Sequence, residues 1–311
     1  MAEATDSDDT NTWGKEEEDQ IDGGDPEAWG REHYANSIPG DYSQFREVLE
    51  KYSGIPPNEV EAEIIKIRNK AWDIVKYPCI GDFNYARDAD FDDDATTRLA
   101  IERLRAPGSE ETYLELGAFI GQTIRRLAFA GVEPRRLYAT DLHPEFIELG
   151  YEQFRDRAGA VGTDATFVAG DLLLSPDAAY AAGAVATALD GRVSIARASN
   201  FFHLFGRAAQ LVLCERIARF FRPADGASSA MLFGVHRGSV RPGNARLGAA
   251  TIYLHDRDSF QALWDEVGAR TGTAWDVAMR AVGPIPPKPN RFGEHEREMR
   301  FTVTRRETPS S

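Results

Sequence analysis

The stretch Thr112-Tyr113-Leu114-Glu115-Leu116-Gly117-Ala118-Phe119-Ile120-Gly121-Gln122, running on to Leu137-Tyr138-Ala139-Thr140-Asp141-Leu142, decides the fold. Tyr113, Leu114 and Leu116 make a short apolar run suited to a buried parallel strand, and the turn from Gly117 to Gly121 opens a helix. Ile124, Leu127, Ala128 and Gly131 then share one helical face, with Arg125 and Arg126 on another. Leu137, Tyr138 and Ala139 supply the next strand, so the unit is strand, crossover helix, parallel strand, a connection that is right-handed in nearly all sheets. Glycines at the carboxyl end of such a sheet let backbone approach a ligand. Asp141, about 20 residues beyond Gly121, stands where a carboxylate can take both hydroxyls of a ribose.

The ligand follows from what the turn lacks. A dinucleotide site needs G-x-G-x-x-G, because the central Gly clears room for a pyrophosphate that the helix N-terminus neutralises. Phe119 occupies that central position, and Glu115 adds a carboxylate that repels phosphate but suits an ammonium group. An adenosyl ligand with a charged amino-acid tail fits better than NAD. Here the chain resembles the class I S-adenosylmethionine (SAM) methyltransferases, whose first motif is E/D-x-G-x-G-x-G; Phe119 departs from it and leaves E-x-G-x-x-x-G. The resemblance implies the cofactor S-adenosyl-L-methionine, held by Glu115, Gly117 and Gly121 at the turn and by Asp141 and Leu142 after the second strand.

Downstream the alternation continues. Pro144 opens a second crossover helix, Thr166 to Ala169 is a third strand, and Gly170-Asp171-Leu172 lies at its carboxyl end, where the resemblance implies that Asp171 bonds the adenine amino group. Arg192 to Ser199 is the fourth strand. It delivers Ser199 as a cofactor contact, and Phe201, Phe202 and His203 as acceptor contacts, to the edge where ligands of open α/β sheets bind. His203 is the candidate catalytic residue, orienting the acceptor oxygen or taking its proton; the alternative is a histidine bonded to backbone. Ser229 to Val235 is the fifth strand, Asp258 can cap a helix bearing Phe260, Leu263, Trp264 and Val267, and Trp275 to Val282 and Arg300 to Thr304 are late strands joined by the Pro-rich stretch Pro284 to Pro289. The expected fold class is α/β, a Rossmann-like seven-stranded methyltransferase sheet with an N-terminal helical lid.

Three regions are expected: an acidic disordered tail over 1–40, a helical lid and substrate region over 41–108, and a SAM-binding methyltransferase domain over 109–311. The first 50 residues hold 15 Asp or Glu against 3 Lys or Arg, most of the net charge of −14. The stretch up to residue 30 is too poor in apolar residues to order itself, although Trp13 and Trp29 could anchor it. The rest is near neutral, without a basic stripe for nucleic acid. In the lid, Phe45, Val48, Leu49 and Tyr52, then Val60, Ile64, Ile67 and Ala71, have helical spacing. Tyr77, beside Pro78 and Gly81, could stack on adenine or gate the site. Cys79 and Cys214 lack metal-ligand spacing and read as reduced structural thiols, and no residue cluster calls for a metal. No apolar run of about 18 residues and no signal series appear, which predicts a cytoplasmic protein without a membrane span. A homodimer is compatible with the sequence.

More narrowly, Glu115-Leu116-Gly117-x-Phe119-Ile120-Gly121-Gln122, the run from Asp141 to Asp156, Phe201-Phe202-His203-Leu204-Phe205 and the Tyr77-Pro78-Cys79-Ile80-Gly81 loop together look like fungal methyltransferases of meroterpenoid biosynthesis, over about residues 60 to 305. Relatives of that kind esterify the carboxyl of a prenylated polyketide acid, which implies O-methylation of a hydrophobic small-molecule acceptor. Methylation of a phenol, nitrogen or carbon, a SAM-binding cyclase or rearrangement enzyme, an NAD-dependent oxidoreductase and a non-catalytic subunit are the other readings. Phe119 and Glu115 disfavour the NAD enzyme.

Overall fold

In a computed structural model of the chain, the described residues are 32–87, 95–157, 162–223, 230–247, 250–282 and 292–306. Trp13, Trp29 and the stretch Pro284 to Pro289 lie outside them. Among the described residues, four α-helices, α1 (Ser43–Lys51), α2 (Val60–Ile74), α3 (Pro78–Gly81) and α4 (Ala95–Arg105), precede β1 (Tyr113–Leu116). The alternating part comprises α5 (Gln122–Phe129), β2 (Leu137–Asp141), α6 (Pro144–Phe154), β3 (Thr166–Ala169), α7 (Asp177–Ala181), α8 (Ala184–Leu189), β4 (Ile195–Ala198), α9 (Arg207–Phe220) and β5 (Met231–Ser239). A hairpin of β6 (Gly243–Leu247) and β7 (Ala250–Leu254), then α10 (Arg257–Thr271), β8 (Trp275–Ala281) and β9 (Glu296–Arg305), complete it.

Seven strands form one sheet in the order β3-β2-β1-β4-β5-β9-β8, with β1 to β5 parallel and β9 antiparallel to both its neighbours. This is the Rossmann-like sheet that the sequence pattern predicts. All four residues of β1 are buried because both faces are covered. Leu114 and Leu116 face a core shared with Leu213, Cys214 and Ile217 of α9 and Leu263 of α10, while Tyr113 faces one shared with Leu104 of α4 and Ile124 and Leu127 of α5. The strand order reverses at β1, between β2 and β4, which is where open sheets of this class open a crevice at their carboxyl edge.

Three features differ from the sequence expectation. Residues 33–38 are not part of a tail. The Tyr34 ring sits edge-on to Trp72 at 5.4 Å, Arg68 donates to the Ala35 carbonyl at 2.9 Å, and Ile38 packs on the same core. The helical region therefore begins near residue 33 rather than 41, because these side chains find apolar partners on α2. The cap of α10 is Asp256, not Asp258: its carboxylate accepts the Ser259 N–H at 2.9 Å and the Ser259 hydroxyl accepts the Asp256 N–H in return, whereas Asp258 is exposed and paired with Arg257. The hairpin β6–β7 and the short helices α7 and α8 had no sequence signal strong enough to place them. Neither cysteine is in a disulfide, and Cys214 is buried.

Candidate active site

The turn from Gly117 to Gly121 is left-handed at alternate residues, with φ of +63° at Gly117, +54° at Phe119 and +66° at Gly121. Gly121 is required twice over, since a Cβ there would also lie 2.5 Å from the Arg125 guanidinium and from the Phe167 ring. Most of the turn's N–H groups are consumed by the protein itself. Ala118 donates to the Thr140 carbonyl at 3.0 Å, Phe119 to Asp141 Oδ2 at 2.8 Å and Gly121 to the Ala118 carbonyl at 2.8 Å. Those three N–H groups are not offered to an anion, unlike the N–H groups of phosphate-binding turns at this position in a fold.

Asp141 ends β2 at the mouth of a cavity of about 60 Å³. Its Oδ1 accepts the His143 N–H at 3.1 Å, just before Pro144 starts α6, so one backbone bond fixes each oxygen. The cavity walls include Gly117, Thr140, Leu142, Gly170, Leu172, Leu173, Phe201, Phe205 and Leu213. The Thr140 hydroxyl, buried in this wall, has no hydrogen-bond partner among the described residues. An apolar cleft with one carboxylate at its mouth and an unanswered hydroxyl in its wall fits an adenosine moiety: apolar faces for the base, acceptors for the diol.

The structure brings Gly117, Asp141, Leu142, Gly170, Leu172 and Phe201 together around this cavity. Other expected residues stand elsewhere. Asp171 closes a local turn, its Oδ1 accepting the Leu173 N–H at 2.7 Å. Ser199 lines a smaller cavity of about 10 Å³ with Thr97, Arg197 and Arg300, and its buried hydroxyl has no partner among the described residues. Tyr77 caps α3 and packs both on the N-terminal core and on the hairpin cluster with Leu173, Leu204 and Phe205. Phe202, expected to face the acceptor, turns inward instead and is fully buried between Phe260 and Phe301, at 5.5 and 5.8 Å. His203 Nδ1 accepts the Arg237 N–H at 3.4 Å.

Glu115 has a partner that the sequence reading did not connect. Register places it opposite Arg197 on β4, and the guanidinium reaches Glu115 Oε1 at 2.7 Å while the Tyr113 hydroxyl donates to Oε2. Burial pushes the Glu115 carboxyl up from its ordinary value, and Arg197 opposes that shift. Alternation along β4 was the available signal, because residue 197 faces whatever residue 115 faces once the two strands pair in parallel. On the acceptor side, Gln210 donates to the carbonyls of Phe205 and Tyr253, each at 2.9 Å, and so ties the edge segment to the hairpin. His255 Nε2 lies 2.9 Å from Gln210 Oε1 and its Nδ1 3.0 Å from the Ser259 hydroxyl, which fixes the amide. Among the described residues, no helix is long and apolar enough to cross a membrane.

Comparison with known proteins finds methyltransferases similar to the chain. The family described as "Meroterpenoid methyltransferase N-terminal domain" matches residues 33–86, the helical region that backs the turn. The chain is 32% identical to O-methyltransferase phiE of Fungal sp. (strain ATCC 74256), over 82% of this chain and 80% of that one. It is 33% identical to O-methyltransferase atr3 of Stereocaulon alpinum, over 76% and 64%. It is 30% identical to the Asnovolin E/Chermesin D methyltransferase nvfJ of Aspergillus novofumigatus, over 75% and 78%.

Proposed function

The chain belongs to the fungal SAM-dependent methyltransferases of the meroterpenoid type, and from that premise we propose that it methylates a carboxyl oxygen of a hydrophobic polyketide or terpenoid acid. The observation that carries the donor half of this reading is the turn itself: most of its N–H groups are spent internally, and the Asp141 carboxylate that one of them holds lines an apolar cleft. That arrangement receives a nucleoside and offers nothing to a pyrophosphate. In this reading Asp141 takes the ribose diol, Leu142, Gly170 and Leu172 border the base, and Gly117 lets the amino-acid end pass toward Ser199. Glu115, already paired with Arg197, holds the strand ends in register beside that tail.

Bound SAM supplies an electrophilic methyl group on a sulfonium. The chain supplies alignment and exclusion of water, which for an in-line displacement at near contact is most of what catalysis requires. Phe201, Phe205 and the hairpin cluster of Leu247, Ile252 and Leu254 make an apolar edge for a prenylated acceptor, and Tyr77 closes it from the N-terminal side. A carboxylate acceptor is already ionised and needs no base. In this reading His203, whose Nδ1 accepts the Arg237 N–H, helps to orient the acceptor oxygen rather than to take its proton. The names phiE and atr3 carry the word O-methyltransferase, which supports oxygen as the target. The reaction takes place in the cytoplasm, with a small molecule as its only required partner.

Calorimetry with SAM, S-adenosylhomocysteine and NAD tests the donor half. The first two should bind in the micromolar range and NAD should not. Asp141→Ala should weaken SAM binding at least tenfold with an unchanged melting temperature, since hydrogen bonds to a charged group contribute about 1.5 to 3 kcal/mol each. NAD heat without SAM heat would remove the reading. Mass spectrometry of candidate acids incubated with SAM tests the acceptor half: an added methyl on an ester supports it, and an isomer of unchanged mass would point to a rearrangement instead.

A further inference from the structure

Each alternate position of the turn is left-handed, yet only two of the three are glycine. In the motif that this turn resembles, Gly stands where Phe119 stands here, so the backbone conformation is kept while the residue that adopts it freely is not. A side chain held at φ +54° is strained, and such strain persists only where the surroundings over-determine it. The surroundings here are aromatic. The Phe119 ring meets Tyr85 edge-on at 4.9 Å and Phe146 edge-on at 4.9 Å. Phe146 belongs to α6, immediately after Asp141, whereas Tyr85 belongs to the short turn Asn84–Ala86 at the end of the N-terminal helical region. Phe83, just before that turn, is also left-handed, with φ +55°, and fully buried.

The consequence runs through one hydrogen bond. The Phe119 N–H donates to Asp141 Oδ2 at 2.8 Å, and the direction of that N–H is set by the backbone angle that the ring's packing enforces. We propose that Phe119 is a positioning residue: seated between Tyr85 and Phe146, it holds its own N–H on Asp141 and thereby couples the docking of the N-terminal helical region to nucleoside binding. The N-terminal region then contributes to the cofactor site through this ring contact. The proposal rests on the assignment of Asp141 to the ribose given above.

The test is a set of SAM dissociation constants measured by calorimetry well below the melting temperature of every variant, together with hydrogen exchange of the peptide spanning residues 117–121 in cofactor-free protein. Phe119→Ala and Tyr85→Ala should each weaken SAM binding about tenfold and speed exchange in that peptide. The double variant should bind no worse than either single one, because both break the same link. Phe119→Gly should melt higher than Phe119→Ala, since glycine accepts the left-handed angle, yet should not regain affinity. Phe119→Tyr, which keeps the ring, should stay near wild type. If Phe119→Ala does not fold, Tyr85→Leu, remote from the cavity, carries the same expectation. Wild-type affinity in Phe119→Ala and in the Tyr85 variants, or additive losses in the double, would overturn the proposal. Asp141→Ala separates the two levels: if it weakens SAM binding while the ring variants do not, only the coupling is wrong, and if it has no effect the assignment of the site is wrong.

Discussion

The two ends of the sheet's carboxyl edge are stabilised by opposite kinds of buried polarity. At the nucleoside end, Arg125 and Asp156 form a fully buried two-bonded pair at 2.8 Å. The third guanidinium nitrogen reaches the Ile120 carbonyl at 3.0 Å, and the Tyr52 hydroxyl joins Asp156 at 2.9 Å. At the hairpin end, two buried histidines stand among aromatic rings, with the buried Glu296 carboxylate 3.8 Å from the Arg237 guanidinium nearby. His236 is boxed by Phe202, Phe260 and Phe301 with neither ring nitrogen partnered among the described residues, and His255 is held between Gln210 and Ser259. In the proposed function, the Arg125–Asp156 pair braces the end that presents the Asp141 carboxylate. In the proposed function, the aromatic rings around His236 back the end that would take an apolar substrate.

Breaking the charged end should have the largest effect. Asp156→Ala leaves Arg125 buried and uncompensated, a loss of about 3 to 5 kcal/mol in urea unfolding. Tyr52→Phe removes only one of the hydrogen bonds to Asp156, at a cost of about 1 kcal/mol. Equal effects of the two would show that the pair is relaxed by water and that the contrast between the ends is false.

Acid should attack the other end. Burial pulls both His236 and His255 down to about 3, with the neighbouring His236 adding to the effect on His255. The unfolded chain takes up these protons near pH 6.5 and the folded chain only near pH 3, so the unfolded state binds more protons in between. Stability is therefore constant above about 6.5 on this account and falls as the pH drops, by up to about 1.4 kcal/mol per unit for each histidine, or close to 3 kcal/mol in all at pH 5.5. Unfolding curves at pH 7.5, 6.5 and 5.5 should show the slope, and His236→Phe should reduce it by about half. An identical slope in that variant would place the acid sensitivity elsewhere.

A smaller effect is expected at His203. With its Nδ1 occupied by the Arg237 N–H, His203→Ala should lower turnover by about tenfold or less and leave SAM affinity unchanged. A fall of roughly 10²-fold or more, with a basic limb in the pH profile, would mean a general base and hence a phenolic acceptor. The smallest effect belongs to residues 1–30, whose removal should change neither melting temperature nor activity measurably, because that acidic, apolar-poor stretch has little to bury. Loss of soluble protein on truncation would show that Trp13 or Trp29 docks on the folded part.

The sheet was legible in the sequence because its signals are local. Strand runs such as Tyr113 to Leu116, helical spacing in α2 and α6, Pro144 at a helix start and glycines at Gly117 and Gly121 are each settled by neighbours within a turn or two. The order of these signals along the chain then fixed the crossovers, and with them the edge where Asp141, Gly170 and Phe201 would meet. Tertiary structure decided which way side chains turned at that edge and what held them. Phe202 and Phe205 are three residues apart, yet one is core and the other lines the cavity. Arg197 finds Glu115 across 82 residues, Phe119 leans on Tyr85, and Tyr52 closes on Asp156 across 104. These partnerships depend on register and on the packing of distant helices, and no local propensity encodes them: a left-handed Phe119 is unfavourable in isolation and stands only because the folded chain surrounds its ring.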